Sequence, residues 1–133
     1  MNRKMTLADF AQPAINKLSG KRIWFCYESG DTIEHHYIDE ETIVWKGIEG
    51  TFKGYSQEDK YYAFEVAKDI YYIIWCEEGT IASSEQNIQH EGVYPVCIVA
   101  DFSKMIATTA AINPDESGES IFSIDQARLE QKV

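Results

Sequence analysis

The strongest structural signal in this 133-residue chain is the segment Lys60–Cys76, which reads KYYAFEVAKDIYYIIWC. Aromatic and β-branched side chains dominate both halves of the segment, and such residues favour strands. Lys68-Asp69 separates the halves, and a polar pair between two apolar runs is typical of a hairpin turn. We therefore predict an antiparallel hairpin that joins Lys60–Ala67 to Ile70–Cys76.

The same alternation of short apolar runs and turn residues continues on both sides of this hairpin. Further strands are predicted at Arg22–Tyr27, Thr32–Ile38, Thr42–Lys46, Thr80–Gln89, Val93–Phe102, Met105–Ile112 and, briefly, near Ile121-Phe122. About eight or nine strands without a long helical crossover indicate an all-β antiparallel fold. We prefer a small closed barrel, because closure leaves no unpaired strand edge and about eight strands enclose room for one small ligand.

Two helices are predicted at the ends of the chain. The first covers Thr6–Leu18, ends at Ser19-Gly20, and is placed to plug one mouth of the barrel. The second is a short helical tail that starts at Ile124. The whole chain, 1–133, is expected to be one domain made of an N-terminal helix (1–19), a barrel core (20–113) and a C-terminal strand and tail (114–133).

Charge and composition exclude several classes of protein. The formal net charge is −10, and the 12 Lys and Arg residues are scattered, so no basic face is available for nucleic acid or an anionic membrane. The N-terminus does not resemble a signal peptide, and no apolar run approaches the ~20 residues that span a bilayer. Three cysteines without a CxxC spacing argue against a disulfide framework and a structural zinc site, and each is expected to be a small buried residue. These features predict a cytoplasmic protein without a cofactor.

Several short motifs between Gly20 and about Pro114 occur in a characteristic order. They are Phe25-x-Tyr27-x-x-Gly30, His36-Tyr37, Thr42-x-x-Trp45, Tyr61-x-Ala63, Tyr71-x-x-x-Trp75-x-Glu77 and Val99-x-Asp101. This order resembles the family of molybdenum-cofactor-biosynthesis protein F (MoaF) and, more distantly, the bacterial phenolic acid decarboxylases. The resemblance implies a lipocalin-like (calycin) barrel and a link to molybdenum-cofactor metabolism.

The decarboxylases hold the substrate carboxylate with two tyrosines and an arginine, and a glutamate handles the phenol proton. By resemblance, Tyr27 corresponds to the second tyrosine and Glu77 to the glutamate. Phe25 stands at the position of the first tyrosine, and no arginine lies between Gly47 and Tyr61. The resemblance therefore implies an incomplete carboxylate site.

Strand alternation supplies the candidate site residues independently of this resemblance. Phe25 and Tyr27 face the same way, as do Trp75 and Glu77. In an apolar lumen, desolvation raises the pKa of Glu77, which then lies near a phenol as a usable acid. Adjacent His35 and His36 point to opposite faces, so they cannot chelate one metal together. Candidate catalytic residues are Tyr27, Glu77 and His35; candidate ligand-binding residues are Phe25, Ile33, Tyr37, Trp45, Tyr61 and Trp75.

An alternative interpretation gives these residues purely structural roles. Tyr27 is then a core aromatic, Glu77 opens the turn Glu77-Glu78-Gly79, and His35 is simply hydrogen-bonded inside. A metal site built from His35, Glu77 and His90 has suitable ligand types but no diagnostic spacing, and we assign no metal.

Three functional hypotheses follow. The first is a barrel that binds a small aromatic or heterocyclic molecule in its lumen. The second is a cofactor-free lyase, decarboxylase-like, or an isomerase that uses Tyr27 and Glu77 for proton transfer. The third is a structural barrel that acts through its acidic surface as a homodimer.

Overall fold

The computed structural model describes residues 17–83, 88–114, 117 and 119–133. The chain forms eight strands: β1 Arg22–Tyr27, β2 Thr32–Tyr37, β3 Thr42–Glu49, β4 Ser56–Ala67, β5 Ile70–Ser83, β6 Ile88–Asp101, β7 Ile106–Pro114 and β8 Ser120–Lys132. Each strand pairs antiparallel with the next, and β8 pairs with β1 along Arg22–Tyr27. The predicted all-β, closed antiparallel barrel is confirmed.

The hairpin of β4 and β5 matches the prediction from Lys60–Cys76. Tyr61 pairs with Trp75, and the ladder continues to Ala67 opposite Ile70, which leaves a two-residue turn. Asp69 in this turn has a φ of 61°, a left-handed conformation that Asp tolerates better than most residues. Tyr71 and Ile73 of β5 point inward and are buried, while Tyr72 between them lies half-buried on the outer wall.

The strands run between the two rims of the barrel. At one rim, core side chains fill the interior. Leu18, in the turn before β1, is fully buried there together with Tyr37 and Ile43. The amide of Gly20 donates to the carbonyl of Tyr37 at 2.7 Å, which fixes this turn against the end of β2. Burial of each large apolar side chain contributes about 2–3 kcal/mol. We call this rim the plugged end.

The strand predicted at Thr80–Gln89 is wrong. β5 continues to Ser83 and β6 starts at Ile88, so this segment contains the end of one strand and the start of the next. Gly79, interpreted as part of a turn, instead lies opposite Gly92 in the ladder. A glycine inside a strand breaks the local pattern of side chains without ending the pairing.

The helical tail predicted from Ile124 is also wrong. Residues Ser120–Lys132 form β8, with Ala127 and Leu129 buried and their neighbours turned outward. The tail pairs with both β1 and β7, and without it the barrel would expose two strand edges. Most of the predicted N-terminal helix lies outside the described residues, and residues 17–20 form a turn.

The three cysteines lie on the outer wall and are free. Cys76 is exposed, which contradicts the expectation that each is buried, while Cys26 and Cys97 are half-buried. In the described part of the chain, no helix has the length and hydropathy needed to cross a membrane.

Candidate functional site

The barrel interior changes character towards the rim opposite the plugged end. Strands β7 and β8 carry small inward side chains at every second position. These are Ala107, Thr109, Ala111, Ser123, Asp125 and Ala127. The facing strands carry aromatic rings, among them Trp45 and Trp75. Small residues opposite large ones leave space that the core does not fill. We call this rim the cavity end.

The space is a cavity of about 150 Å³. Its walls are formed by Tyr27, Asp31, Ile33, His35, Trp45, Phe52, Trp75, Glu77, Val96, Thr109, Ala111, Ser123 and Asp125. An apolar cavity of about this size holds one benzene ring. The volume therefore suits a molecule built on a single ring.

Tyr27 ends β1 and brings a phenol to the cavity wall. Its Oη lies 2.8 Å from Oγ1 of Thr109 on β7, and either hydroxyl can donate. Burial raises the pKa of Tyr27 far above its usual range, and the nearby carboxylates of Asp125 and Asp31 act in the same direction. Tyr27 is therefore a neutral phenol at physiological pH, able to donate a hydrogen bond but not to act as a base.

His35 occupies the bottom of the cavity and is 2% exposed. Its ring stacks on Phe25 with centroids 3.9 Å apart and meets Trp75 edge-on at 5.3 Å. Its Nδ1 lies 3.1 Å from Oη of Tyr37. Burial lowers the pKa of His35 to about 3, so the imidazole is neutral and offers one donor and one acceptor.

Glu77 is the buried carboxyl group of the site, with 7% of its surface exposed. Nε1 of Trp75 donates to its Oε1 at 3.3 Å. Burial raises the pKa of Glu77 to about 7; the Trp75 hydrogen bond opposes this shift and the charge of Asp59 adds to it. Both protonation states of Glu77 are therefore populated at neutral pH, as general acid–base chemistry requires.

The connection between β3 and β4 folds over the cavity wall and is fixed at two points. The amide of Thr51 donates to Oδ1 of Asp31 at 2.8 Å, and that of Gly54 donates to the carbonyl of Gly47 at 3.1 Å. A Cβ at Gly47 would overlap the backbone carbonyl of Phe52, so only glycine allows this approach. Phe52 then meets Trp45 edge-on, with centroids 5.8 Å apart.

The structure brings six of the predicted site residues together at the cavity: Tyr27, Ile33, His35, Trp45, Trp75 and Glu77. It does not bring the other three there. Phe25, Tyr37 and Tyr61 are fully packed at 0–1% exposure and lie outside the cavity wall. Phe25 and Tyr37 contact His35, and Tyr61 donates through Oη to the carbonyl of Asp39 at 2.7 Å. They act as the layer that supports the site.

Sequence reasoning missed the polar and small residues of the wall. Asp31 ends the polar segment Glu28-Ser29-Gly30-Asp31, which is typical of a turn, and Phe52 lies among glycines in a segment without clear periodicity. Thr109 lies in the run Ala107–Ala111, where every side chain is small and no alternation marks the inward positions. Asp125 lies in the segment that was predicted to be a helical tail from Ile124.

The described residues contain no cluster of three His, Cys, Asp or Glu side chains with metal-binding geometry. The backbone of His90 pairs with Ile81, four positions along β5 from Glu77. Four strand residues span about 13 Å, too far for shared ligation without side chains reaching back.

The fold and the cavity define the class of protein as an eight-stranded antiparallel β-barrel with a polar and aromatic internal cavity at one end. The family model described as the MoaF C-terminal domain matches residues 12–124, which is most of the chain. The chain therefore belongs to the MoaF C-terminal domain family, and the predicted resemblance to the MoaF family is confirmed. The resemblance to phenolic acid decarboxylases, the lipocalin-like assignment and the link to molybdenum-cofactor metabolism stay predictions.

Two proteins similar to this chain are related to it at 21–28% identity. Protein MoaF of Klebsiella aerogenes is 28% identical over 80 residues, an alignment covering 56% of this chain and 30% of that protein. The chain thus spans less than a third of the length of this curated relative. A crystal structure from Burkholderia vietnamiensis, which carries the provisional name beta-lactamase, has a TM-score of 0.63 at 21% identity and covers 87% of this chain and 96% of its own. At that identity the similarity shows the fold alone.

Proposed function

We propose that this barrel binds a small aromatic or heterocyclic molecule in its lumen. The observation that carries the proposal is the cavity of about 150 Å³ between two tryptophans, with Tyr27, His35 and Glu77 on its walls. Ligand sites combine apolar walls with a few polar groups that fix orientation, and this cavity has that composition. Its volume favours one ring over the two fused rings of a pterin.

The lumen offers the ligand hydrogen bonds as well as apolar surface. Tyr27 is a neutral phenol, His35 a neutral imidazole, and Glu77 changes protonation near pH 7. The indole Nε1 of Trp45 is buried without a hydrogen-bond partner among the described residues. A ligand acceptor near this N–H would remove the cost of leaving a donor unpaired.

Benzyl alcohol, a neutral single-ring probe, tests the proposal. Trp45 and Trp75 line the cavity, so their fluorescence reports occupancy, and Trp24→Phe removes the signal of the tryptophan that hydrogen-bonds Glu34 and contacts Lys132. A probe of this size is expected to bind with a Kd of about 1 mM. At ten times that Kd, binding stabilises the folded state by about 1.4 kcal/mol, measurable as a rise in Tm.

Two neighbouring alanines of β7 provide a matched pair of variants. Ala111 faces the cavity, whereas Ala110 is directed to the outer wall. Ala111→Leu is expected to fill the space and abolish benzyl alcohol binding, and Ala110→Leu to leave it within about twofold. Equal affinities in both variants would contradict binding in the lumen.

Proton transfer by Glu77, with the Tyr27 phenol as a hydrogen-bond donor beside it, is a second candidate function. It is favoured by the pKa of Glu77, about 7, because a catalytic acid is most effective when its pKa lies near the working pH. This candidate is a cofactor-free lyase or isomerase. Its test is loss of p-hydroxycinnamate, followed by absorbance, in the parent chain and in Glu77→Gln. Turnover abolished by the substitution supports it, and an inert parent chain refutes the decarboxylase form.

A further inference from the structure

We infer that the cavity selects a small single-ring organic cation, such as a protonated arylalkylamine, over a neutral or anionic ring of the same size. This inference rests on the lumen binding proposed above and specifies the ligand's charge. The described residues that line the cavity include three acidic side chains, Asp31, Glu77 and Asp125, and no Lys or Arg.

The acidic groups approach the cavity from separate elements. Asp31 precedes β2 and Asp125 lies on β8, the strands that flank β1, whereas Glu77 lies on β5. None of the Lys and Arg residues that the structure describes contributes to the wall. Carboxylates without a cationic partner in a partly buried site attract a cation and repel an anion.

Two groups on the wall respond to nearby carboxylates, Tyr27 to two on the wall and Glu77 to one outside it. The charges of Asp125 and Asp31 add to burial in raising the pKa of Tyr27. Asp59 on β4 adds to burial in raising that of Glu77. An ammonium group in the cavity would reverse both effects, because it stabilises the ionised forms of its neighbours.

The aromatic walls favour the same ligand charge. Trp45, Phe52, Trp75 and Tyr27 expose ring surface to the cavity. The faces of aromatic rings attract cations, and tryptophan attracts them most strongly. An anion placed against the same faces gains nothing from them. Carboxylates and π-faces together therefore favour an organic cation with an apolar ring.

The carboxylate substrates of phenolic acid decarboxylases do not fit this wall. Such a substrate would place a negative charge among Asp31, Glu77 and Asp125 with no arginine to balance it. Phe25, at the position of the missing tyrosine, is fully buried below the site and carries no hydroxyl. The inference and the decarboxylase alternative thus make opposite predictions about ligand charge.

Three probes of nearly equal size separate charge from shape: benzylamine, benzyl alcohol and benzoate. Binding is measured at pH 8 by titration calorimetry and by the fluorescence of the Trp24→Phe variant. Benzylamine is expected to bind at least about tenfold more tightly than benzyl alcohol, and benzoate more weakly than either. Benzoate binding as tightly as benzylamine would overturn the inference and leave lumen binding intact.

Substitutions that each remove one negative charge show which carboxylates attract the cationic probe. Asp125→Asn keeps an oxygen that can still accept from the amide of Gln126, so it removes charge with little change of structure. It is expected to weaken benzylamine about three- to tenfold and to leave benzyl alcohol within about twofold. Asp31→Asn is a second variant of the same kind. Glu41→Gln, exposed in the β2–β3 turn at the plugged end, is the control and should change neither affinity.

The Ala111→Leu variant distinguishes the remaining outcomes. If benzylamine binds this variant as tightly as it binds the parent chain, then the net charge of −10 attracts it and not the cavity. In that case the inference fails. If none of the three probes binds the parent chain, the proposed lumen function fails together with it.

Discussion

Glu77 carries the clearest titration signature of the site. Its pKa rises from an ordinary 4.5 to about 7 on folding, so between these values the unfolded chain has lost a proton that the folded chain keeps. The free energy of unfolding contributed by this group is therefore greatest below pH 4.5 and is lost as pH rises to about 7. The shift corresponds to a change on the order of 3 kcal/mol.

We predict that Glu77→Gln removes this pH dependence. Relative to the parent chain, the variant should gain about 2–3 kcal/mol between pH 4.5 and pH 8, because glutamine has no charge to desolvate. Urea unfolding at pH steps across that range measures the difference, and the other carboxyl groups cancel in the comparison. Glu41→Gln should give a curve parallel to that of the parent. A parallel curve for Glu77→Gln would show that the carboxyl is not desolvated.

His35 is a base, so the stability that depends on its burial changes with pH in the opposite direction to that of Glu77. Its pKa falls from 6.5 to about 3 because the ring is fully enclosed between Phe25 and Trp75. The stabilisation from the neutral ring is fully present above pH 6.5 and is lost as pH falls toward 3. Ring ¹⁵N chemical shifts of His35 should stay those of a neutral imidazole from pH 8 to pH 5. A titration midpoint above pH 6 would contradict the enclosure.

At the scale of elements, the turn that covers Gly47 positions part of the cavity wall. Gly47→Ala is expected to cost about 3–4 kcal/mol, because the new Cβ meets backbone that cannot rotate away. Gly54→Ala has nothing within 4 Å of its Cβ and pays only for its φ of 88°, about 1–2 kcal/mol. Urea unfolding compares the two. Benzyl alcohol affinity should fall only in Gly47→Ala, since Phe52 moves with that backbone; equal behaviour of both variants would refute the argument.

Strand β8 can be tested through its buried side chain. Leu129 is 3% exposed inside the barrel, so Leu129→Ala is expected to cost about 2–4 kcal/mol. The exposed neighbour Gln131 serves as the control, and Gln131→Ala should change stability by less than about 0.5 kcal/mol. Similar small effects at both positions would mean that the tail does not close the barrel.

These elements also show how far the sequence allowed prediction. The boundaries of β1 were predicted as observed, because Arg22–Tyr27 is a short apolar run that ends in a Gly-containing turn. In β8, the strand near Ile121-Phe122 was predicted, but the part from Ile124 was predicted to be helical because Gln126–Lys132 is rich in helix-forming residues. Local preferences of a few tenths of a kcal/mol per residue were overridden by pairing on both sides. Inward direction was predictable for Tyr27 and Glu77 from alternation. Long-range placement, such as Asp31 beside Thr51, leaves no local pattern.

At the scale of the whole molecule, the net charge of −10 acts on stability. Like charges repel more in the compact state, and salt screens that repulsion. Raising NaCl from about 10 mM to 150 mM is therefore expected to increase the free energy of unfolding by about 1 kcal/mol. A double variant of the exposed Glu40 and Glu41 to Gln should show a smaller increase. Unchanged stability across this range of salt would indicate that ion pairs offset the repulsion.

The homodimer and the cytoplasmic location expected from the sequence stay predictions. Sedimentation velocity of the full chain at several concentrations measures the first directly. A single monomeric species at all concentrations would contradict it.

The division of the barrel between a plugged end and a cavity end has an evolutionary consequence. Side chains such as Leu18 and Ile43 hold the fold together at one rim, while Ala111 and Ser123 shape the space near the other. Substitutions at the second pair change what fits inside and remove little packing from the first. Paralogues can therefore diverge in the molecules they recognise while inheriting one scaffold, and directed evolution of new binders should begin on β7 and β8.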